Sequence, residues 1–179
     1  MIPRKYFTLP DPARDHIQGA IDGPIALLEY GDYECPFCAE VQPVVDAVIE
    51  RMGDSLCFGF RHFPMASAHP HAEHAAEAAE AAGAQGKFWE MHEVLFQNQH
   101  ALADEYLAEY AAALGLDTQR FINEVLSEIY ADRIREDFRS GVRGGVNGTP
   151  CFFINGQRYD GARALEPLLA ALTPDALAI

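Results

Sequence analysis

No apolar run in these 179 residues reaches the ~20 needed to cross a bilayer as a helix. Basic residues are scarce too. The 13 Lys and Arg stand against 27 Asp and Glu, a formal net charge of −14. That balance argues against a nucleic-acid partner and against an anionic membrane surface. Cysteine is sparse: 4 residues with a single close pair do not make a disulfide scaffold. The start, Met1-Ile2-Pro3-Arg4-Lys5-Tyr6, has no apolar segment behind its basic residues. The expected location is therefore cytoplasmic as the chain is written, or periplasmic if a leader has been removed. What is plentiful is apolar: 49% of residues are hydrophobic, enough for a substantial core. The length suits one domain, or one domain with an insertion, and a monomer is expected.

The close pair lies in Cys35-Pro36-Phe37-Cys38. Ile25-Ala26-Leu27-Leu28-Glu29-Tyr30 before it reads as a buried strand. Behind it Val41, Val44, Val45, Val48, Ile49 and Met52 recur at helical spacing, with Gly53 as a stop. The pair thus sits where a strand hands over to a helix, the context in which C-x-x-C reads as a redox motif. Unpaired N–H groups and the macrodipole at a helix N-terminus stabilise an anion, and only the thiolate attacks a disulfide. Cys35 is the expected exposed nucleophile, with Pro36 in the first turn. Cys38, one turn in and more buried, is the expected resolving thiol. A zinc site would need a second ligand pair, and Cys57 and Cys151 stand alone, so no metal is expected.

Residues up to about Gly23 read as an extended arm broken by prolines and glycines, with a short strand at Lys5 to Leu9. Leu56-Cys57-Phe58-Gly59-Phe60-Arg61 alternates as a second strand, implying a right-handed parallel crossover. From about Pro70 to Gly144 five helical stripes follow, among them an Ala-rich helix and one capped by Asp117. Strand character returns at Cys151-Phe152-Phe153-Ile154, and Asn155-Gly156 signals a hairpin. A last helix carries Leu165, Leu168, Leu169 and Leu172. The order describes an α/β chain: a small mixed sheet of the thioredoxin type with an inserted all-helical domain. The expected division is 1–64 with 146–179 as the sheet domain and 65–145 as the insertion.

Four segments together give the chain a family likeness: Glu29 to Cys38, Phe60-Arg61-His62-Phe63-Pro64, Gly86-Lys87-Phe88-Trp89, and Gly148-Thr149-Pro150-Cys151-Phe152-Phe153-Ile154-Asn155-Gly156. In their order and spacing the chain resembles the DsbA-like thiol:disulfide oxidoreductases of the thioredoxin superfamily, over about residues 15 to 172. The resemblance implies a cis Thr149-Pro150 bond facing the dithiol, with the Thr149 backbone pairing with an extended substrate. Pro36 and Phe37 would border that substrate. Glu29 matches the acidic residue beneath the active site in the family and would manage the proton of Cys38, the alternative being a strand-end glutamate that faces solvent. Strongly oxidising members carry Pro-His between the cysteines, whereas this chain carries Pro-Phe. Asp32 and Glu34 add negative charge nearby. The Cys35 thiol is therefore expected below free cysteine but above the strongest oxidants. Cys151, after Pro150, and Cys57 are expected in the core.

The reading is a thiol:disulfide oxidoreductase for protein or peptide thiols, needing no cofactor because the dithiol is the redox couple. Its electron partner would be a membrane quinone reductase or a cytosolic thiol system. The alternatives are a glutathione-dependent transferase or isomerase on the same fold, against which Cys38 speaks, and a non-catalytic peptide-binding holdase. His69, His71 and His74 are expected on the polar side of a helix start, not on a metal. His62 stands at a strand end from which it could approach the dithiol. Phe88, Trp89 and Phe96 read as helical core.

Overall fold

The computed structural model describes residues 8–173. Five strands form one mixed sheet in the order β1-β3-β2-β4-β5. They are β1 (His16–Gly19), β2 (Ile25–Gly31), β3 (Leu56–His62), β4 (Cys151–Ile154) and β5 (Gln157–Tyr159). Helix α1 (Pro36–Met52) joins the parallel pair β2 and β3. Between β3 and β4 the chain makes α2 (Ala72–Gly83), α3 (Phe88–Gln97), α4 (Asp104–Ala113), α5 (Thr118–Leu126) and α6 (Ala131–Gly144). Helix α7 (Leu165–Leu172) closes the chain against α1. This is the thioredoxin-like arrangement with helices inserted.

Side chains alternate across a strand, so β2 feeds two cores. Leu27 joins Phe58, Phe60, Val41, Val45 and the helical residues Ala79, Met91 and Leu107 on one face. Leu28 and Tyr30 join Phe63, Val146, Cys151 and Phe153 on the other, with Phe138 of α6 over them. Both Cys57 and Cys151 are buried at 5% exposure. The β4–β5 turn has φ of 47° at Asn155 and 80° at Gly156, the double left-handed geometry of a two-residue hairpin. Gly53 and Gly145 end α1 and α6 with positive φ.

The arm before Gly23 departs from expectation. His16–Gly19 is an edge strand, antiparallel to Cys57–Phe60 of β3. Its four residues carry no apolar alternation. It is placed instead by long-range contacts: the His16 ring stacks on Phe88 with centroids 3.5 Å apart, and Nε2 lies 3.0 Å from Glu80 Oε1. Of the strand expected over Lys5 to Leu9, Lys5 to Phe7 lie outside the described residues, and Thr8 and Leu9 are in a turn.

Candidate functional site

Cys35 is the N-cap of α1, with Pro36 at the first helical position. The N–H groups of Cys38 and Ala39 both point back to the Cys35 carbonyl, at 3.0 and 3.3 Å. Gln99 crosses from the α3–α4 connection and donates to the carbonyls of Tyr33 and Cys35, both at 2.8 Å. Across from the sulfur lies the Thr149–Pro150 bond, which is cis. Cys35 Sγ donates to the Thr149 carbonyl at 3.5 Å. These covers change one expectation: Cys35 is buried, at 4% exposure, and the exposed surface belongs to Pro36 and Phe37. Phe37 is 60% exposed. Cys38 has no exposed surface. Both thiols are free.

The electrostatics separate the two sulfurs. The Cys38 S–H stabilises a Cys35 thiolate by hydrogen bonding. Burial opposes that anion, but the Thr149 hydroxyl and the backbone N–H groups of Cys38 and Phe37 support it. The Cys35 thiol comes down to about 5, between the oxidant and reductant C-x-x-C examples, ~3.5 and ~7. The buried Thr149 hydroxyl has no hydrogen-bond partner while Cys35 is a thiol, so it is available once the thiol proton is gone. Cys38 is pushed well up, by burial first, then by its hydrogen bond to Cys35 and the charge of Glu29.

Glu29 lies on β2, paired with Phe60 on one side and Phe152 on the other. It shares the strand face of Leu27, beneath α1. It is fully buried and neither carboxylate oxygen has a hydrogen-bond partner. Burial, then the neighbouring charge of Asp46, lift its carboxyl to about 8. It therefore holds a proton at neutral pH.

Three histidines of the β3–α2 loop and the start of α2 each meet a carboxylate. His69 Nδ1 lies 2.7 Å from Asp32 Oδ2, His71 Nδ1 3.0 Å from Glu34 Oε1, and His74 Nδ1 2.6 Å from Asp104 Oδ1. His62 turns to Glu80 at 2.8 Å. Phe60, Phe96 and His92 pack round Tyr33, whose hydroxyl meets His92 Nδ1 at 2.9 Å, and Phe88 lies against His92. The pairs on Asp32 and Glu34 and the Gln99 bridge were not visible in the sequence, because no local pattern marks a partner so far along the chain. An open apolar cleft of ≈ 550 Å³ runs between Phe63, Met65, Phe138, Val142 and Val146, with Arg139 at its edge. A second, polar cleft of ≈ 300 Å³ beside Pro150 holds Arg158 and Arg163.

The family model described as Thioredoxin matches residues 12–173. The chain belongs to the thioredoxin family. Within that family its fold is DsbA-like. The structure of BdbD from Bacillus subtilis superposes with a TM-score of 0.83 at 19% identity, covering 93% of this chain and 95% of that one. A thioredoxin-like oxidoreductase from Silicibacter pomeroyi gives 0.82 at 22%, covering 100% and 99%. Alpha-DsbA1 of Wolbachia pipientis gives 0.82 at 22%, covering 96% and 95%. The sequence relatives are of another kind. A Na(+)/H(+) antiporter, NhaA 1, of Salinispora arenicola is 43% identical over 163 residues. That match covers 91% of this chain but 25% of the antiporter, so this thioredoxin-family chain spans about a quarter of such relatives. Among the described residues no helix is long and apolar enough to cross a membrane.

Proposed function

We propose that this chain is a thiol:disulfide oxidoreductase that exchanges disulfides with protein or peptide thiols through Cys35 and Cys38. The observation that carries the reading is the opposition of Cys35 Sγ, at a helix N-terminus, to the Thr149 carbonyl beside cis-Pro150. In the oxidising direction a substrate thiolate attacks Cys35 of the Cys35–Cys38 disulfide. That bond breaks, and Cys38 leaves and takes a proton supplied through Glu29. A second substrate thiolate then attacks the mixed disulfide at the substrate sulfur and expels Cys35 as its stabilised thiolate. The substrate loses two electrons and the enzyme dithiol gains them. Reduction is the reverse, with Cys38 resolving the mixed disulfide. Thr149 and Pro150 hold the extended substrate backbone, Pro36 and Phe37 border it, and the apolar cleft takes its side chains. The dithiol is the redox couple and calls for no cofactor. A membrane quinone reductase or a cytosolic thiol pool would reset it.

Cys35→Ser is expected to abolish both insulin reduction and dithiol-peptide oxidation. Retained activity overturns the reading. Retention of client protection by a Cys35/Cys38 double serine variant would favour a holdase instead. A second reading rests on the relatives: the dithiol regulates a sodium–proton antiporter, joined to it or beside it. Exchange measured in vesicles holding the Salinispora arenicola antiporter, with this chain added reduced and then oxidised, tests this; equal rates remove it.

A further inference from the structure

The segment entering the dithiol carries two carboxylates, and Phe37 brings no cation. Left unbalanced, Asp32 and Glu34 would oppose a thiolate at Cys35. The β3–α2 loop brings a histidine to each, and the inner pair is the one tied to the Cys35 backbone. The Asp32 side chain is fully buried and that of His69 is 19% exposed, whereas His71 on Glu34 is 47% exposed. Asp32 Oδ2 accepts from His69 and from the Met65 N–H at 2.8 Å, and Oδ1 accepts from the Glu34 N–H at 2.8 Å. The Asp32 carbonyl accepts the Cys35 N–H at 3.1 Å. One residue thus joins the loop to the first turn that carries the nucleophile.

We propose that His69, held on Asp32, is the positioning cation of the Cys35 site and sets the oxidising strength of the dithiol. It takes the part that a histidine between the cysteines would take and that Phe37 leaves open. This rests on the oxidoreductase reading. The charges acting on His69 are those of Asp32, Cys35 and Glu34. Burial works against its imidazolium, but the Asp32 hydrogen bond and these three charges outweigh it and raise it above its ordinary 6.5.

The coupling has a definite sign. When a partner dithiol reduces the Cys35–Cys38 bond, two electrons pass and two S–H bonds of the partner are lost. One proton goes to Cys38, and Cys35 remains a thiolate. The new negative charge makes His69 bind a proton more tightly, so His69 takes up part of the second. As pH falls through the His69 window the imidazolium favours the reduced form, and the protein becomes a stronger oxidant. The reduction potential then rises by up to about 30 mV more per pH unit than proton uptake by Cys38 alone would give, about tenfold for this two-electron couple; because glutathione takes up two protons on reduction, the protein's equilibrium with it becomes correspondingly less dependent on pH.

His69→Gln tests the charge, since the amide can still donate to Asp32. The thiolate absorbance should titrate with a dissociation constant about three- to tenfold smaller than in the parent, the size of one partly exposed charge pair. The added pH slope near neutrality should vanish, and adding Phe37→His should restore part of the thiolate stability. His71→Gln should change the titration less. An unchanged thiolate titration and slope in a folded His69→Gln protein overturns the proposal. Should that variant not fold, imidazole NMR of the parent decides: His69 must titrate at higher pH in the reduced than in the oxidised protein, and equal values overturn it. Neither measurement needs a client, so their outcome stands apart from the Cys35→Ser assay.

Discussion

Glu29 follows an apolar run of four residues, a position from which a carboxylate ordinarily reaches solvent. Here the central place of β2 denies it that. With β3 on one side, β4 on the other and α1 above, its carboxyl rises from 4.5 to about 8. Between these values the folded chain holds a proton that the unfolded chain has released. The contribution of Glu29 is therefore fully present below about pH 4.5 and is lost as pH climbs towards 8. The loss is on the order of 3 kcal/mol at pH 7. In the reduced protein Glu29→Gln should flatten this profile, seen in urea titrations at pH 5, 7 and 8.5, and should slow disulfide exchange. An unchanged slope would mean that Glu29 is not the buried acid described here. At the same scale, the place of Cys35 at the head of α1 was legible from Pro36 behind it. Its enclosure was not, because Gln99 and Thr149 come from elsewhere in the chain.

Elements were legible where the pattern is local. α5 is the plainest case: Asp117 precedes Phe121 and Val125 at helical spacing, and its side chain accepts the Arg120 N–H at 3.0 Å. Asp117→Ala should cost ~1 kcal/mol in thermal unfolding and leave the thiolate titration of Cys35 untouched. A negligible loss would point instead to the backbone contacts of residue 117 with Gln85, which alanine keeps, as the principal support. The β4–β5 hairpin was legible for the same reason, since Asn155 and Gly156 tolerate the left-handed backbone. β1 was not, because an edge strand of four residues is defined by its partner.

Across the whole molecule a buried polar network joins the sheet to the inserted helices. Arg61 is fully buried and grips Asp15 twice, Nε to Oδ1 at 2.9 Å and Nη2 to Oδ2 at 2.7 Å. It also donates to the Tyr30 hydroxyl at 2.9 Å, which meets Ser140 of α6 at 2.8 Å. Beside it Glu80 of α2 gathers His16, His62 and Arg133. Burial pushes the Glu80 carboxyl up, but His16 and His62 overcome this and hold it well below the usual range. Arg61→Met takes away the buried guanidinium of Asp15 and leaves it Arg14 Nε at 3.2 Å and the Asp11 N–H at 2.7 Å; it should cost about 3 kcal/mol, the low end for half of a buried pair. Arg61→Met with Asp15→Leu should recover part of it. Denaturant midpoints of the three proteins check this, and a single variant as stable as the parent would refute the role.

By itself the sequence determined the strand–dithiol–helix junction, the alternating β3, the helical run, the Asn155-Gly156 turn and the apolar faces. Each is written within a few residues, in a period or a turn signal that backbone geometry reads directly. Apart from the Thr149–Pro150 loop, which the family resemblance already set opposite the dithiol, tertiary structure alone decided what surrounds the sulfurs. Thr149 faces Cys35 across 114 positions, His69 meets Asp32 across 37, and Arg61 meets Asp15 across 46. Charges and hydrogen bonds act through space, and which groups come within reach is settled only when the β3–α2 loop, the cis-proline turn and the N-terminal arm fold back onto the sheet.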